Sequence, residues 1–408
     1  MKLTLLLDLD GTLLDIQMDT FLQAYFQALA RFLSPYVPPE LLLPALMQGT
    51  RQMFANRDPR RTLRQAFNQT FFPQIGIEPQ ALMPAIDRFY EEIFPTLRAF
   101  AQPRPEARRL VEWAFEQGHR VAITTNPIFP RRAIEHRLTW AELPPERYPF
   151  ELITSYEDFH FCKPAIEYYA EVLGRLAWPQ GPVIMIGDDR DLDIRPARAL
   201  SLTTCWIAPA GASPAPSDHG VAYASLGEVL TWLQAFSAAP DGVPPLEPPA
   251  LLALLRATPA VILHWTERYP LASWRVRPYP EEWCALEVLA HLRDVEKEVT
   301  LPRLERILHQ ENPFLPSQDT DRWAEERRYR EQERSTVLQD YLEARLELLQ
   351  KLEALTPDQW QRPARHSIFG PLTLQGWINL IAEHDRQHLS QMHEALRLAE
   401  NAGSSLPD

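Results

Sequence analysis

The chain has 408 residues and a net charge of −13, from 41 Lys plus Arg against 54 Asp plus Glu. That balance leaves no basic footprint for a phosphate backbone, so nucleic acid is excluded as a first partner. At roughly 100–200 residues per domain, the length predicts two or three domains with large buried cores. The three cysteines, Cys162, Cys205 and Cys284, are odd in number and show no CxxC spacing. This excludes a disulfide framework and predicts a reducing, cytoplasmic compartment.

The apolar run Leu3–Leu7 ends at Asp8 and Asp10. It is far shorter than the ~18 apolar residues of a membrane span, so it reads as a buried strand of a soluble protein with no membrane partner. From Phe21 to Phe100 the apolar positions recur every three or four residues in segments separated by prolines, an all-helical insertion placed at about 15–100. Strand and helix then alternate: helix 105–117, strand 121–125, a helix from about Pro130, strand 152–154, helix 164–175, strand 183–186, helix 192–200 and strand 203–207. Such alternation predicts an α/β domain with a parallel sheet, its core formed by 1–14 and 101–236.

The Pro-rich segment 237–249 (SAAPDGVPPLEPP) has no periodicity and reads as a semi-rigid linker. Beyond it the pattern is helical only: 251–269, 283–309, 335–355 and 374–398. Four amphipathic segments of this length predict an all-α four-helix bundle over 250–402.

In an open parallel sheet, ligands sit at the carboxyl ends of the strands. The residues following the predicted strands are Asp8 and Asp10, Thr125 and Asn126, and Asp188 and Asp189. Three strand ends therefore bring carboxylates and a hydroxyl to one crevice. Carboxylates so placed repel one another unless a cation joins them, and Mg²⁺ suits an all-oxygen set. Only four of the 41 cations are lysines, namely Lys2, Lys163, Lys297 and Lys351. Lys163, before Pro164 at a helix start, supplies a compact ammonium that a guanidinium does not replace.

These residues resemble the haloacid dehalogenase-like (HAD) hydrolases over 1–235. DLDGTL at 8–13, Thr125-Asn126, Lys163-Pro164 and GDDRDLD at 187–193 look like its four motifs in order, and the helical insertion sits where such proteins carry a helical cap. The resemblance implies a Rossmann-like sheet. It also implies a phosphohydrolase in which Asp8 is the nucleophile, Asp10 the acid and base, and Thr125, Asn126 and Lys163 hold the phosphoryl oxygens. Mg²⁺ would be held by Asp8, the Asp10 backbone carbonyl and an acid of the fourth motif. Either Asp188 or Asp189 is that ligand, with Asp193 in support and Asp191 as a substitute. The halide-removing members lack the acid at the position of Asp10, which favours a small phosphorylated metabolite as substrate. Pro127 departs from the small residue usual after the second motif. The cap offers Tyr25, Phe26, Arg51, Phe54, Arg57, Arg60 and Arg61. Core aromatics and solvated arginines are the first reading of these, and a substrate pocket the second.

In the bundle, His384 and His388 are four apart and share a helix face with Trp377, Ile381 and Met392. His291 lies on the stripe of Cys284, Val288, Val295 and Val299. Three imidazoles directed inward fit a divalent transition metal, Zn²⁺, Ni²⁺ or Fe²⁺. The competing reading has the pair hydrogen-bonded to Asp385 or Glu287. His264, His309, His366 and His393 read as surface or helix-end residues. WCALEVLAHLRDVE at 283–296, FGPLTL at 369–374 and HDRQH at 384–388 resemble the DinB-like bundles, whose metal-binding members carry one His on the second helix and HxxxH on the last. Some of those members are thiol-dependent transferases. Three functions therefore stand beside one another: a phosphohydrolase with an appended metal bundle, a metal-dependent thiol transferase or hydrolase centred on the bundle, and a bundle serving as a binding or homodimerisation module.

Overall fold

The computed structural model describes residues 1–208, 221–223, 225–237 and 245–403. Two compact units divide the chain, the first formed by Met1–Val172 and Pro179–Val243, the second by Leu173–Trp178 and Pro244–Asp408.

The first unit opens with β1 (Thr4–Leu7), wholly buried as a near-continuous apolar run should be in a parallel sheet, and β2 (Leu14–Ile16). Four helices follow: α1 (Met18–Leu33), α2 (Pro39–Ala55), α3 (Leu63–Ile75) and α4 (Pro79–Arg88). A wide helical turn over Phe89–Ile93 and a tight one over Phe94–Phe100 complete the insertion. β3 (Ala101–Pro103) pairs antiparallel with β2, so a two-stranded ribbon closes both ends of the insertion. The sequence reading omitted this ribbon, because strands of three residues leave no measurable alternation.

The chain continues through α5 (Pro105–Glu116), β4 (Arg120–Ile123), α6 (Arg131–Trp140), β5 (Leu152–Ile153), α7 (Ile166–Arg175), β6 (Val183–Gly187), α8 (Arg195–Ala199), β7 (Thr203–Ile207), β8 (Val221–Tyr223) and α9 (Leu226–Gln234). The sheet runs β5-β4-β1-β6-β7-β8 and every pairing is parallel. The chain leaves β1 toward β4 and β5, then returns to the other side for β6. Asp8 therefore stands at the topological switch point, where an open sheet forms its crevice. The helix expected over 192–200 is instead a wide turn, Arg190–Ile194, leading into α8.

The second unit contains α10 (Pro248–Arg268), α11 (Ala285–Val295), α12 (Leu301–His309), β9 (Phe314–Leu315), α13 (Trp323–Glu326), α14 (Arg334–Glu353), α15 (Pro357–Trp360), β10 (Pro363–His366), β11 (Gly370–Thr373) and α16 (Leu374–Gly403). Residues 238–244 of the expected linker lie outside the described residues. Its last two prolines instead form the first turn of α10, where the missing N–H costs nothing. α10 is long and apolar enough to cross a membrane, yet two thirds (67%) of its most apolar window is buried, as befits a core helix. α11 and α12 form one bent rod, interrupted by a wide turn over Glu296–Thr300 just before Pro302, which has no N–H to donate. A three-stranded sheet, β11-β10-β9, adds to the four long helices. Its β11 is built from the FGPLTL segment. His366 is buried in β10, where its Nδ1 accepts the Ile368 and Phe369 N–H groups, and His393 stacks on Trp265 within α16. Neither is the surface or helix-end residue expected.

Candidate functional site

Register sets the first cluster. Leu7 is level with Ile123 on one side and Ile186 on the other, so Asp8 leaves the sheet edge beside Thr124 and Gly187. Lys163 and Asp193 are each 1% exposed and Asp8 is 7% exposed. The Lys163 ammonium donates to Asp8 Oδ1 at 2.7 Å and to Asp193 Oδ1 at 2.6 Å. Burial alone would lower the lysine's pKa, but the Asp193 and Asp8 carboxylates outweigh it and hold the ammonium charged well above its ordinary range. Asp193 is fully engaged, since Tyr169 OH also reaches its Oδ1 at 3.3 Å and the Asp189 N–H donates to its Oδ2 at 3.2 Å. The wide turn Arg190–Ile194 puts it there.

One oxygen each from Asp8, Asp188 and Asp193 lies within 4.8 Å of the others. Burial, reinforced by Asp8, pushes Asp188 up to about 6. Asp189 takes no part: its carboxylate caps the next turn, accepting from the Asp191 and Leu192 N–H groups. Asp191 is exposed and pairs with Arg195. Among the consecutive acids, Asp188 is thus the one directed into the cluster. Gly11 (φ +83°) makes room for it, because a Cβ there would lie 2.1 Å from Asp188 Oδ2.

Asp10 faces a different partner. Its carboxylate pairs with Arg137 of α6, itself 1% exposed, and its Oδ1 is buried with no hydrogen-bond partner. Burial raises the Asp10 pKa against the pull of Arg137. Thr125 is buried on the same sheet edge, its carbonyl held by Thr154 Oγ1 (2.7 Å) and Tyr168 OH (2.8 Å), and Asn126 Oδ1 is buried without a partner. Three carboxylates close to one another, two of them on one ammonium, fit a hard divalent cation.

The second cluster lies in the bundle. His384 Nε2 is 3.2 Å from His291 Nε2 and 3.1 Å from His388 Nε2. His388 Nδ1 meets Gln391 Oε1 at 3.0 Å. The amide oxygen only accepts, so neutral His388 carries its proton on Nδ1 and presents a lone pair at Nε2. Burial drives all three pKa values down, His291 to about 3 and His384 to about 4, with neighbouring imidazoles adding to the effect for both. The acids that could have satisfied these histidines are engaged elsewhere. Asp385 binds Arg345 and Thr258 Oγ1, and Glu287 binds Arg277 and the Cys284 N–H. The competing reading of the pair therefore fails, and three neutral nitrogens converge where a soft or borderline cation fits.

Residues 3–200 match the family model of the haloacid dehalogenase-like hydrolases, and residues 254–392 match that of the DinB superfamily. The chain thus carries a haloacid dehalogenase-like hydrolase domain over the first stretch and a DinB-superfamily domain over the second. Uncharacterized protein YuaE of Bacillus subtilis (strain 168) is 25% identical over 151 residues, 34% of this chain and 93% of its own length. Among solved structures, the four-helix bundle YfiT from Bacillus subtilis is 19% identical, covering 41% of this chain and 94% of its own, with a TM-score of 0.35. A HAD phosphatase from Thermococcus onnurineus is 18% identical (57% and 98% covered, TM-score 0.38). A 2-haloacid dehalogenase from Pseudomonas syringae pv. Tomato DC3000 is 21% identical (58% and 100%, TM-score 0.41).

The hydrolase's insertion distributes the named cap residues unequally. Tyr25 and Phe26 line a cavity. Arg51, Phe54, Arg57 and Arg60 are exposed, and Arg61 bonds to Asn56 and Gln69. Tyr25 and Phe26 are core aromatics that also line the cavity, and none of these arginines does. Sequence reasoning missed Arg137, Tyr169 and Gln391. Arg137 had left one signal, a cation on the otherwise apolar stripe of Ala133, Ile134 and Leu138.

Proposed function

We propose that the hydrolase unit is a Mg²⁺-dependent phosphohydrolase of small phosphomonoesters. The observation that carries this reading is Asp10, a buried acid of raised pKa two residues beyond a carboxylate held by Lys163. A halide leaves without a proton, whereas an alkoxide requires one, and a proton donor beside the nucleophile serves only the second. Asp8 attacks phosphorus, the ester O–P bond breaks, and Asp10 gives its proton to the leaving oxygen. Asp10 then takes a proton from the water that attacks the aspartyl-phosphate, and inorganic phosphate leaves. Lys163 holds Asp8 in place, Asp193 fixes Lys163, and Thr125 and Asn126 offer polar groups to the phosphoryl oxygens. Asp8 and Asp188 would hold Mg²⁺, with Asp193 in support, and the ion would neutralise charge on the transferring group. A purified full chain should hydrolyse an aryl phosphate only with Mg²⁺, and Asp8→Asn should remove the activity. Absence of Mg²⁺-dependent turnover over a panel of phosphoesters overturns the reading.

The DinB-superfamily unit is proposed to bind a divalent transition metal, Zn²⁺, Ni²⁺ or Fe²⁺, through His291, His384 and His388. The three convergent Nε2 atoms support this. Metal analysis of the full chain beside His384→Ala tests it, and equal metal content in both refutes it.

A further inference from the structure

The hydrolase unit contains a pocket of about 240 Å³ walled by the insertion, by the loop after β4 and by Tyr156 beyond β5. Leu42, Leu46, Phe67, Phe71 and Tyr25 line it from the insertion, and Phe129 lines it from the loop. Among the described residues, no charged side chain borders it. Of its polar groups, Thr50 Oγ1 is spent on its own helix (Leu46 O, 2.9 Å), the Tyr25 and Tyr90 hydroxyls bond each other at 2.8 Å, and Asn68 and Tyr156 complete a lining otherwise of hydrocarbon. Protein interiors are close-packed and hold few voids larger than a water molecule. Apolar cavities of roughly 150 Å³ stay dry and take up benzene, so this one accepts a somewhat larger hydrocarbon group.

Its position ties it to the reacting groups. Asn126 and Phe129 are three residues apart, a span of at most about 11 Å. The Phe129 ring lies 4.7 Å beneath the Arg137 guanidinium, and that guanidinium pairs with Asp10. The acid that protonates the leaving oxygen and the wall of the cavity thus share one side chain.

We infer that the phosphomonoester carries an apolar alcohol, aliphatic or aromatic, whose hydrocarbon group occupies this cavity. The inference rests on the phosphohydrolase reading and names its substrate class. A sugar phosphate fits poorly, since several hydroxyls would be buried in a lining mostly of Leu, Met and Phe, where Asn68 and Tyr156 offer too few partners for them.

The test uses the full chain with Mg²⁺ and a series from ethyl to hexyl phosphate, with glycerol phosphate for contrast. Each methylene entering the cavity should raise kcat/KM about fourfold, roughly 250-fold over the four methylenes from ethyl to hexyl. Leu46→Trp, and the gentler Leu46→Phe should the first fail to fold, should collapse the ratio of hexyl to ethyl turnover. In a second arm without phosphoester, hexanol should bind the wild type with a negative heat-capacity change and bind the variants more weakly. Turnover indifferent to chain length, preference for glycerol phosphate, or absence of hexanol binding overturns the assignment and leaves the hydrolase chemistry standing. No Mg²⁺-dependent turnover of any ester overturns that chemistry, and with it the substrate class; hexanol binding would then identify the cavity as an apolar ligand site of another kind.

Discussion

The two clusters handle charge in opposite ways. In the hydrolase, carboxylates meet the protein's own cations: Lys163 joins Asp8 to Asp193, and Arg137 pairs with Asp10. In the bundle, three neutral imidazoles face one another while the nearby charges are balanced separately by Arg345, which bridges Glu296 and Asp385. The first site is therefore largely assembled by ion pairs inside the chain. The second brings uncharged nitrogens together, His384 Nε2 lying 3.2 Å from His291 Nε2 and 3.1 Å from His388 Nε2.

The largest expected effect breaks the bundle's charge scaffold. Arg345 is 1% exposed, reaches Asp385 Oδ2 at 2.5 Å and Oδ1 at 3.1 Å, pairs with Glu296, and donates to Leu255 O at 3.1 Å. Arg345→Met strands two buried carboxylates and should cost about 3–5 kcal/mol. Adding Glu296→Gln and Asp385→Asn should restore much of it. Denaturant unfolding checks both, and a mild Arg345→Met would show that the network contributes little.

Next comes Lys163→Arg. A planar guanidinium cannot occupy the point between Asp8 and Asp193 that one Nζ fills, so kcat should fall about 10²–10³-fold, as when a preorganised donor is lost. Full activity would mean that any cation serves there.

Gln391→Ala tests how the bundle orients its lone pairs. Loss of the amide that holds the His388 proton on Nδ1 should weaken metal affinity about 10–100-fold, read by competition with a chelator. Affinity equal to the wild type would assign the orientation to the Trp283 ring, which stacks on His388 at 6.2 Å.

These residues also show what a sequence makes legible. The strand ends, Lys163 and the HxxxH pair were readable because sheet topology and helical periodicity alone place them. Asp188 could not be told from Asp189, because the choice depends on a wide turn whose N-cap is Asp189 itself. Arg137 and Arg345 lie 127 and 40 residues from the acids they bind at Asp10 and Asp385. No motif links such pairs; each is a cation on an apolar helix stripe, a sign that a buried acid waits elsewhere. Tyr25 and Phe26 were nameable as pocket residues, but the cavity they line is a property of how α1, α2 and α3 pack, and no single segment encodes it.

The smallest effect separates the sites by sign. In the metal-stripped chain, the depressed pKa values of His291 (about 3) and His384 (about 4) mean that below pH 6.5 the unfolded histidines bind protons that the folded ones refuse. The stability they contribute is therefore present above 6.5 and lost as pH falls toward 4. Asp188, raised from 3.8 to about 6, behaves in reverse: folded, it binds the proton first, so its contribution is present below 3.8 and lost as pH rises through 6. Relative to the wild type, Asp188→Asn should thus stabilise at pH 7 and not at pH 4, and His384→Leu should gain relative stability as pH drops over the same range. Tm differences measured with chelator decide this. If both differences drift in the same direction, the two clusters do not hold charge in the opposed ways their geometry describes.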